Sequence, residues 1–316
     1  PIAAGADADA TYVFNADGMG YGLFPPGGAG IDEWPKLRDV EKGSLLINRF
    51  ENVLMRGRPV SSEHLDLLTD ILAIEDNQLL LDLALNQLRR TYWLLVPETV
   101  RDGRAASVEA LLWDSMQRQE EGSRRKMFFS AFADIALSPE SVQRVYRVWS
   151  GEDKIDTLPL SENDFIGLAQ VLAIKMPAEA DAIISTQIAM TNNPDNLRKL
   201  EFIAPSMSAD PRTRDRFFRT LRDEKNREIE SWVLDALENL HHPLRVRQSE
   251  EYIYGSLNLL AEIQVTGDIF FPKRWLDATL FNHRSHTAVS TVRRFLDENP
   301  DYNAQLRMKI LQSADM

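Results

Sequence analysis

Apolar residues recur at helical spacing along almost the whole chain, and this periodicity constrains the fold more than any other feature. One run places Leu65, Leu68, Ile71 and Leu72 on one face of a predicted helix. Similar segments of about 12 to 20 residues follow one another from residue 31 onward with short connections, as in stacked helix pairs. Because no tight sequence repeat is present, the pattern favours an all-α, irregular α-α superhelix of the HEAT or armadillo kind.

The starts of several predicted helices carry a capping residue directly before a proline. A capping side chain accepts a hydrogen bond from the first helical turn, and proline is favoured at the first helical position. Four pairs fit this pattern: Ser138-Pro139, Asn193-Pro194, Asp210-Pro211 and Asn299-Pro300. Ser161 and Asp164 have the spacing of a capping box. We expect a helix to begin at each of these positions.

The composition limits the partners and the chemistry that the chain can serve. Its 316 residues carry a formal net charge of -12, which disfavours nucleic acid and suits ligands with a free amino group. Cysteine is absent, which excludes disulfides, thiolate zinc sites and a cysteine nucleophile. No apolar run reaches the roughly 20 residues that cross a bilayer, so no membrane span is expected. The sequence begins at Pro1 without a signal sequence, and we expect a processed product or an excised piece.

The first 30 residues are rich in glycine and small residues. Gly18, Gly20 and Gly22 suggest a phosphate-binding loop, but a dinucleotide fingerprint has the spacing GxGxxG and opens a helix. Here the glycines are followed by Pro25-Pro26 in place of a helix. We therefore predict that the loop binds no phosphate.

A β-hairpin accounts for more of this region. Residues 11–14 are β-prone, residues 15–18 are a turn signal, and residues 19–24 read as the returning strand. An isolated hairpin is only marginally stable in water and needs a sheet or a helix to pack on. Residues 1–30 are therefore predicted to be the remnant of a sheet that lies upstream.

The five histidines form no HExxH zinc motif. His283 and His286 are three residues apart, and Asp277 or Asp268 would complete a metal site with them. The interpretation we favour is that both are surface histidines near a helix boundary. His241-His242 precedes Pro243, which predicts a helix that ends there with the rings near the negative end of its dipole.

Residues 212–219 are locally basic and contain aromatic side chains, as RNA-binding segments often do. Acidic residues are interspersed with the arginines, so that the local charge is close to neutral. We expect a salt-bridged helix with Phe217, Phe218 and Leu221 facing the core.

Several short strings, taken in order, resemble the C-terminal part of bacterial zinc aminopeptidases of the aminopeptidase N family. The strings are NADGMGYG (15–22), WPKL (34–37), FENVL (50–54), YW (92–93), NREIESW (226–232), LHHPLR (240–245) and GDIFFP (267–272). In that family a thermolysin-like catalytic domain is followed by a small β-sandwich and then by a helical superhelix. The resemblance covers essentially the whole chain.

The resemblance implies that residues 1–30 are the end of the β-sandwich and that residues 31–316 are the non-catalytic helical domain. In the family this domain closes the active-site cavity and controls the access of peptide substrates. Zinc is then expected in the catalytic domain, which this chain lacks, and the chain should be inactive alone. Its implied partners are its own catalytic and β-sandwich domains and peptides, whose amino termini an acidic lining would attract. The compartment, cytoplasm or periplasm, stays open.

Six residues follow as candidates from this reading. Tyr21, Phe24 and Trp34 are candidates for packing at the interface between domains. His241, His242 and Arg245 are candidates for lining the substrate chamber or for a structural role.

Two other classes of function are left open. A stand-alone helical-repeat adaptor would hold a partner protein or peptide in its groove. Such an adaptor needs a polar capping helix at its end, and a partial sheet at residues 1–30 would serve no purpose in it. An independent metalloenzyme would use His283 and His286, and metal analysis would decide that case.

Overall fold

The computed structural model describes residues 12–56 and 61–314, and every regular element in these ranges is helical. The contacts divide the chain into two compact units, one of residues 1–144 and 154–159, the other of residues 145–153 and 160–316. The prediction of an all-α fold is confirmed. Of the described helices, none has both the length and the hydropathy that crossing a bilayer requires.

The first unit contains five complete α-helices and the start of a sixth. They are α1 (Asp39–Arg56), α2 (Ser61–Ile74), α3 (Gln78–Arg90), α4 (Glu98–Arg118), α5 (Gly122–Ile135) and α6 (Pro139–Ser150). A π-helical turn (Thr91–Leu95) extends α3, and a 3₁₀ turn (Trp34–Lys36) precedes α1. Helices α1 to α4 each pack on the next helix in sequence or on the one after it, as expected for stacked helix pairs.

The second unit contains nine further helices, most of which pack in the same order. They are α7 (Glu162–Lys175), α8 (Ala180–Met190), α9 (Pro194–Met207), α10 (Pro211–Thr220), α11 (Glu230–Leu240), α12 (Val246–Thr266), α13 (Phe271–Leu280), α14 (His286–Glu298) and α15 (Ala304–Ala314). Short 3₁₀ turns (Glu224–Arg227 and Pro243–Arg245) lie before α11 and α12.

A buried glutamate of α4 binds the turn between the next two helices. Glu109 accepts hydrogen bonds from the N–H groups of Leu137 and Ser138, at 2.6 and 2.9 Å, and from the Ser138 hydroxyl at 2.5 Å. Burial acts to raise the pKa of Glu109, but the bonds from Ser138 and Leu137 outweigh it and hold the pKa below its usual value. This carboxylate therefore supplies the partners that the start of α6 lacks within its own helix.

The same arrangement recurs twice in the second unit. Glu162 of α7 accepts from the N–H groups of Asn192 and Asn193, at 2.8 and 3.3 Å, in the turn between α8 and α9. Glu230 of α11 accepts from the N–H of Asp268, at 2.7 Å, in the turn between α12 and α13. We call Glu109, Glu162 and Glu230 the clamp glutamates, because each joins one helix to the turn that connects the following two.

Most of the predicted helix starts are confirmed, and one is wrong. Helices α6, α9 and α10 begin at Pro139, Pro194 and Pro211, and the Ser161–Asp164 capping box is formed at α7. The predicted helix start at Asn299-Pro300 is wrong, because α15 begins at Ala304. Asn303 caps α15 and accepts from the N–H groups of Gln305 and Leu306, at 2.9 and 3.1 Å. The Asn299 side-chain amide instead donates to the Phe295 carbonyl at the end of α14.

The predicted hairpin is not formed in the described part of residues 1–30. Residues 1–11 lie outside the described residues, and residues 12–30 contain turns and no strand. The predicted turn is present, since the Gly18 N–H donates to the Asn15 carbonyl at 2.8 Å. However, the Asn15 amide bonds to both the N–H and the carbonyl of Gly20, at 2.7 and 3.2 Å. These are the groups that a returning strand would need for pairing, so the side chain replaces the strand.

A four-donor carboxylate fixes the start of α1 against the end of α2. Glu75 accepts from the Trp34 indole N–H at 2.8 Å, from the Lys42 ammonium at 2.9 Å, and from the N–H groups of Asp76 and Asn77 at 2.9 and 2.8 Å. Burial acts to raise the pKa of Glu75, but the bonds from Asn77, Lys42 and Trp34 outweigh it and lower the pKa below its usual value.

We expect Glu75→Gln to lower the free energy of unfolding by about 2 to 3 kcal/mol at pH 7, because Lys42 loses its partner and one acceptor oxygen is lost. A carboxylate whose folded pKa is lowered stabilises the fold above its unfolded pKa and less as pH falls below it. The difference in free energy of unfolding between the wild-type protein and Glu75→Gln, measured by urea unfolding, should therefore become smaller from pH 7 to pH 3. Glu51→Gln, at an exposed position of α1, is the control and should change little; an equal effect of both variants would contradict the assignment.

Candidate domain interface and buried histidine pair

Residues 12–30, which we call the N-terminal segment, are held by their main-chain carbonyls against α1. Three side chains of α1 donate these hydrogen bonds, at 2.6 to 2.7 Å. The bonds join Asn48 to the Phe14 carbonyl, Arg49 to the Ala29 carbonyl and Asn52 to the Phe24 carbonyl. A segment without secondary structure thus gains partners for its backbone from one helix.

The side chains at the centre of this segment point to solvent. Tyr21 is fully exposed, Met19 is 84% exposed and Leu23 is 55% exposed. We call Met19, Tyr21 and Leu23 the apolar triplet. Three large apolar side chains exposed within five residues are typical of a surface that meets another protein surface.

The three residues predicted for a domain interface have different environments. Tyr21 belongs to the apolar triplet, and Phe24 is half-buried with its carbonyl bound by Asn52. Trp34 is only 1% exposed and packs inside the first unit, where its indole N–H binds Glu75. Tyr21 is therefore the one of the three whose ring is open to a further domain.

In the second unit, two histidines far apart in sequence form a buried pair. His241 follows α11 and His283 lies in the turn between α13 and α14, with 2.7 Å between His241 Nδ1 and His283 Nε2. The Tyr252 ring stands edge-on to His241 at 6.1 Å, and the Asn282 amide donates to the His241 carbonyl at 2.8 Å. The pair therefore fixes the end of α11 to the end of α13.

Both rings of this pair are neutral near pH 7. Burial lowers the pKa of His241 well below its usual value, and the neighbouring His283 lowers it further. Burial also lowers the pKa of His283 to about 4. One neutral ring can donate its N–H to the lone pair of the other, whereas two protonated rings would repel each other.

The structure corrects the surface interpretation for His283, which is only 7% exposed, and confirms exposure for His286 at the start of α14. The two aspartates named for a metal site are engaged elsewhere. Asp277 binds Lys273 and Ser313, and Asp268 accepts from the N–H groups of Phe270 and Phe271. Within the described ranges no group of three or more metal-binding side chains comes together.

His242 and Arg245 have contacts that stabilise the helices around them. His242 Nδ1 accepts from the Leu244 N–H at 3.2 Å and begins the 3₁₀ turn. The buried Arg245 guanidinium donates to the Met207 carbonyl at 2.8 Å, to the Ser206 carbonyl at 3.2 Å and, at 3.4 Å, to a carbonyl near the end of α7. Burial lowers its pKa to about 10, with a further contribution from Arg214, so it stays charged at neutral pH. A cation at the ends of α7 and α9 complements both helix dipoles.

The residues that hold the N-terminal segment were not predicted from the sequence, although a signal is present. Ser44, Asn48 and Asn52 are buried polar residues spaced four apart on α1. A polar stripe along the buried face of a helix indicates a partner that offers backbone groups rather than apolar side chains.

Comparison of the sequence with protein-family models and with curated proteins gave no match. The apolar triplet and its support on α1, together with the resemblance of the short strings, are therefore the features that bear on function.

His283→Gln should reduce the decrease in the free energy of unfolding that the protein shows as pH falls. Because the folded pKa of His283 is lowered from 6.5 to about 4, its contribution is complete above pH 6.5 and is lost as pH falls toward 4. Between pH 7 and pH 4.5 the wild-type protein should lose about 2 to 3 kcal/mol through this residue, and the variant should not. His286→Gln is the matched control because His286 is exposed. Urea unfolding at both pH values checks this, and parallel pH curves for wild type and His283→Gln would contradict it.

Proposed function

We propose that this chain is the non-catalytic C-terminal helical domain of a zinc aminopeptidase of the aminopeptidase N family. In this proposal it closes the active-site cavity of the catalytic domain and controls which peptides enter. Zinc and the catalytic residues belong to the catalytic domain, and the net charge of -12 favours peptides with a free amino terminus.

The observation that carries the proposal is the N-terminal segment on α1. Its backbone is fixed by Asn48, Arg49 and Asn52, while Met19 and Tyr21 extend into solvent. A fixed backbone with exposed apolar side chains suits permanent contact with a folded neighbour, because little conformational entropy is lost on docking. In the family, the β-sandwich occupies the place directly before the helical domain, and we assign it as the neighbour of the apolar triplet.

A stand-alone adaptor that binds a partner protein or peptide is the second candidate. It is favoured by a further exposed apolar group, Val265, Ile269 and Phe270, around the turn between α12 and α13. In an adaptor this group would be the contact for the partner, and the apolar triplet would have no domain to cover it.

The gene that encodes this chain, together with its full-length product, tests the proposal. We expect its coding sequence upstream of Pro1 to contain HExxH and a downstream glutamate, and the purified product to hold zinc and to release N-terminal residues from peptides. In that product, Tyr21→Ser combined with Leu23→Ser should weaken the joint between domains by about 2 to 4 kcal/mol. In the present chain alone, calorimetry should find the same pair of substitutions within about 0.5 kcal/mol of wild type.

Leu79→Ser is the matched control, because Leu79 is 81% exposed on α3, away from the N-terminal segment in sequence. It should leave both proteins unchanged. A start codon directly before the codon of Pro1, or a double variant that destabilises both proteins equally, would overturn the proposal and favour the adaptor.

A further inference from the structure

The second unit contains an apolar cavity that the proposed function does not use. It lies between the end of α13, the turn that follows it, and helices α14 and α15, and its volume is about 340 Å³. Aliphatic side chains form most of its wall, and two polar residues complete it. The residues that matter here are Leu280, Val292, Leu296, Leu311, His283 and Arg293. Partly enclosed apolar cavities with few polar groups are typical of small-molecule sites.

Arg293 is the one cationic side chain among the residues that line the cavity. Within the described residues it has no ion pair, hydrogen bond or aromatic contact. Its neighbour Arg294 differs, since its guanidinium stacks on the Tyr254 ring at 4.7 Å. Arg293 is exposed and lines the cavity, so it offers a cationic group there that forms no ion pair within the described residues.

His283 adds a second polar residue to the wall without adding charge. Its ring is 7% exposed, and its Nε2 is already engaged with His241. A neutral ring neither repels an anion nor supplies a second positive charge. The cavity therefore combines an apolar interior with a single cation, which matches a singly charged anion with an aliphatic body better than a phosphate, which requires more donors.

We infer that this cavity binds a small aliphatic monocarboxylate, with the hydrocarbon body against Val292, Leu296 and Leu311 and the carboxylate on Arg293. A volume of about 340 Å³ equals the liquid volume of roughly eleven waters, which corresponds to about ten non-hydrogen atoms. Octanoate has this size and this charge. The inference is independent of the proposed function, because it concerns residues 280–314 alone.

Calorimetric titration of the full chain with octanoate at pH 7.5 tests the inference. We expect a Kd of about 0.1 to 1 mM, as for a ligand of about ten atoms. Arg293→Gln should weaken binding by about fivefold, and 1-octanol, which lacks the charge, should bind the wild-type chain more weakly than octanoate by a similar factor. Arg294→Gln is the matched control and should bind as wild type.

A second variant tests the cavity itself. Val289 lines the cavity and is 40% exposed, so Val289→Trp can fill the space without disturbing the core, and it should abolish binding. The inference is overturned if Arg294→Gln weakens binding as much as Arg293→Gln, if octanol binds as tightly as octanoate, or if Val289→Trp binds normally.

Discussion

The main-chain groups at helix ends need hydrogen-bond partners, and in this chain charged side chains of other helices supply many of them. Glu109, Glu162 and Glu230 each accept N–H groups of a turn 28 to 38 residues further along the chain. Arg245 does the converse and donates to carbonyls at the ends of α7 and α9. Each contact satisfies a helix end and fixes one helix pair to the next, so stacking does not require a repeated sequence. A chain without a consensus repeat can in this way keep the packing order of a repeat protein.

The N-terminal segment follows the same rule with the roles exchanged. Here the irregular backbone offers carbonyls, and α1 supplies donors through Asn48, Arg49 and Asn52. Because the backbone is satisfied from one side, the side chains of the apolar triplet are free to face the other side. This geometry supports a domain joint at residues 12–30, and it is the reason we prefer a domain of a larger enzyme to a stand-alone adaptor.

Local sequence patterns predicted local structure well and long-range contacts poorly. Apolar periodicity predicted the helices, and the caps at Asn193 and Asp210 are formed as expected, because both signals act within one or two turns. The errors at Asn15 and Asn299 have one cause, since an asparagine side chain bonds whichever backbone group is nearest and thereby selects between a cap, a turn and a helix end. The His241–His283 pair joins residues 42 apart, and a clamp glutamate looks like any other acidic residue of a helix surface. Such contacts become visible only once the helices are packed.

The central claim is that the clamp glutamates hold the turns of the following helix pair. Amide hydrogen exchange tests this claim directly, at the backbone N–H groups that these glutamates accept. Glu109→Met keeps the length of the side chain and removes both acceptors. We predict that the amides of Leu137 and Ser138 then exchange about 10 to 100 times faster, as expected for the loss of hydrogen bonds to a buried charge, while the amide of Asp268, held by Glu230, is unchanged. Unchanged exchange at Leu137 and Ser138, or an equal acceleration at Asp268, would contradict the account.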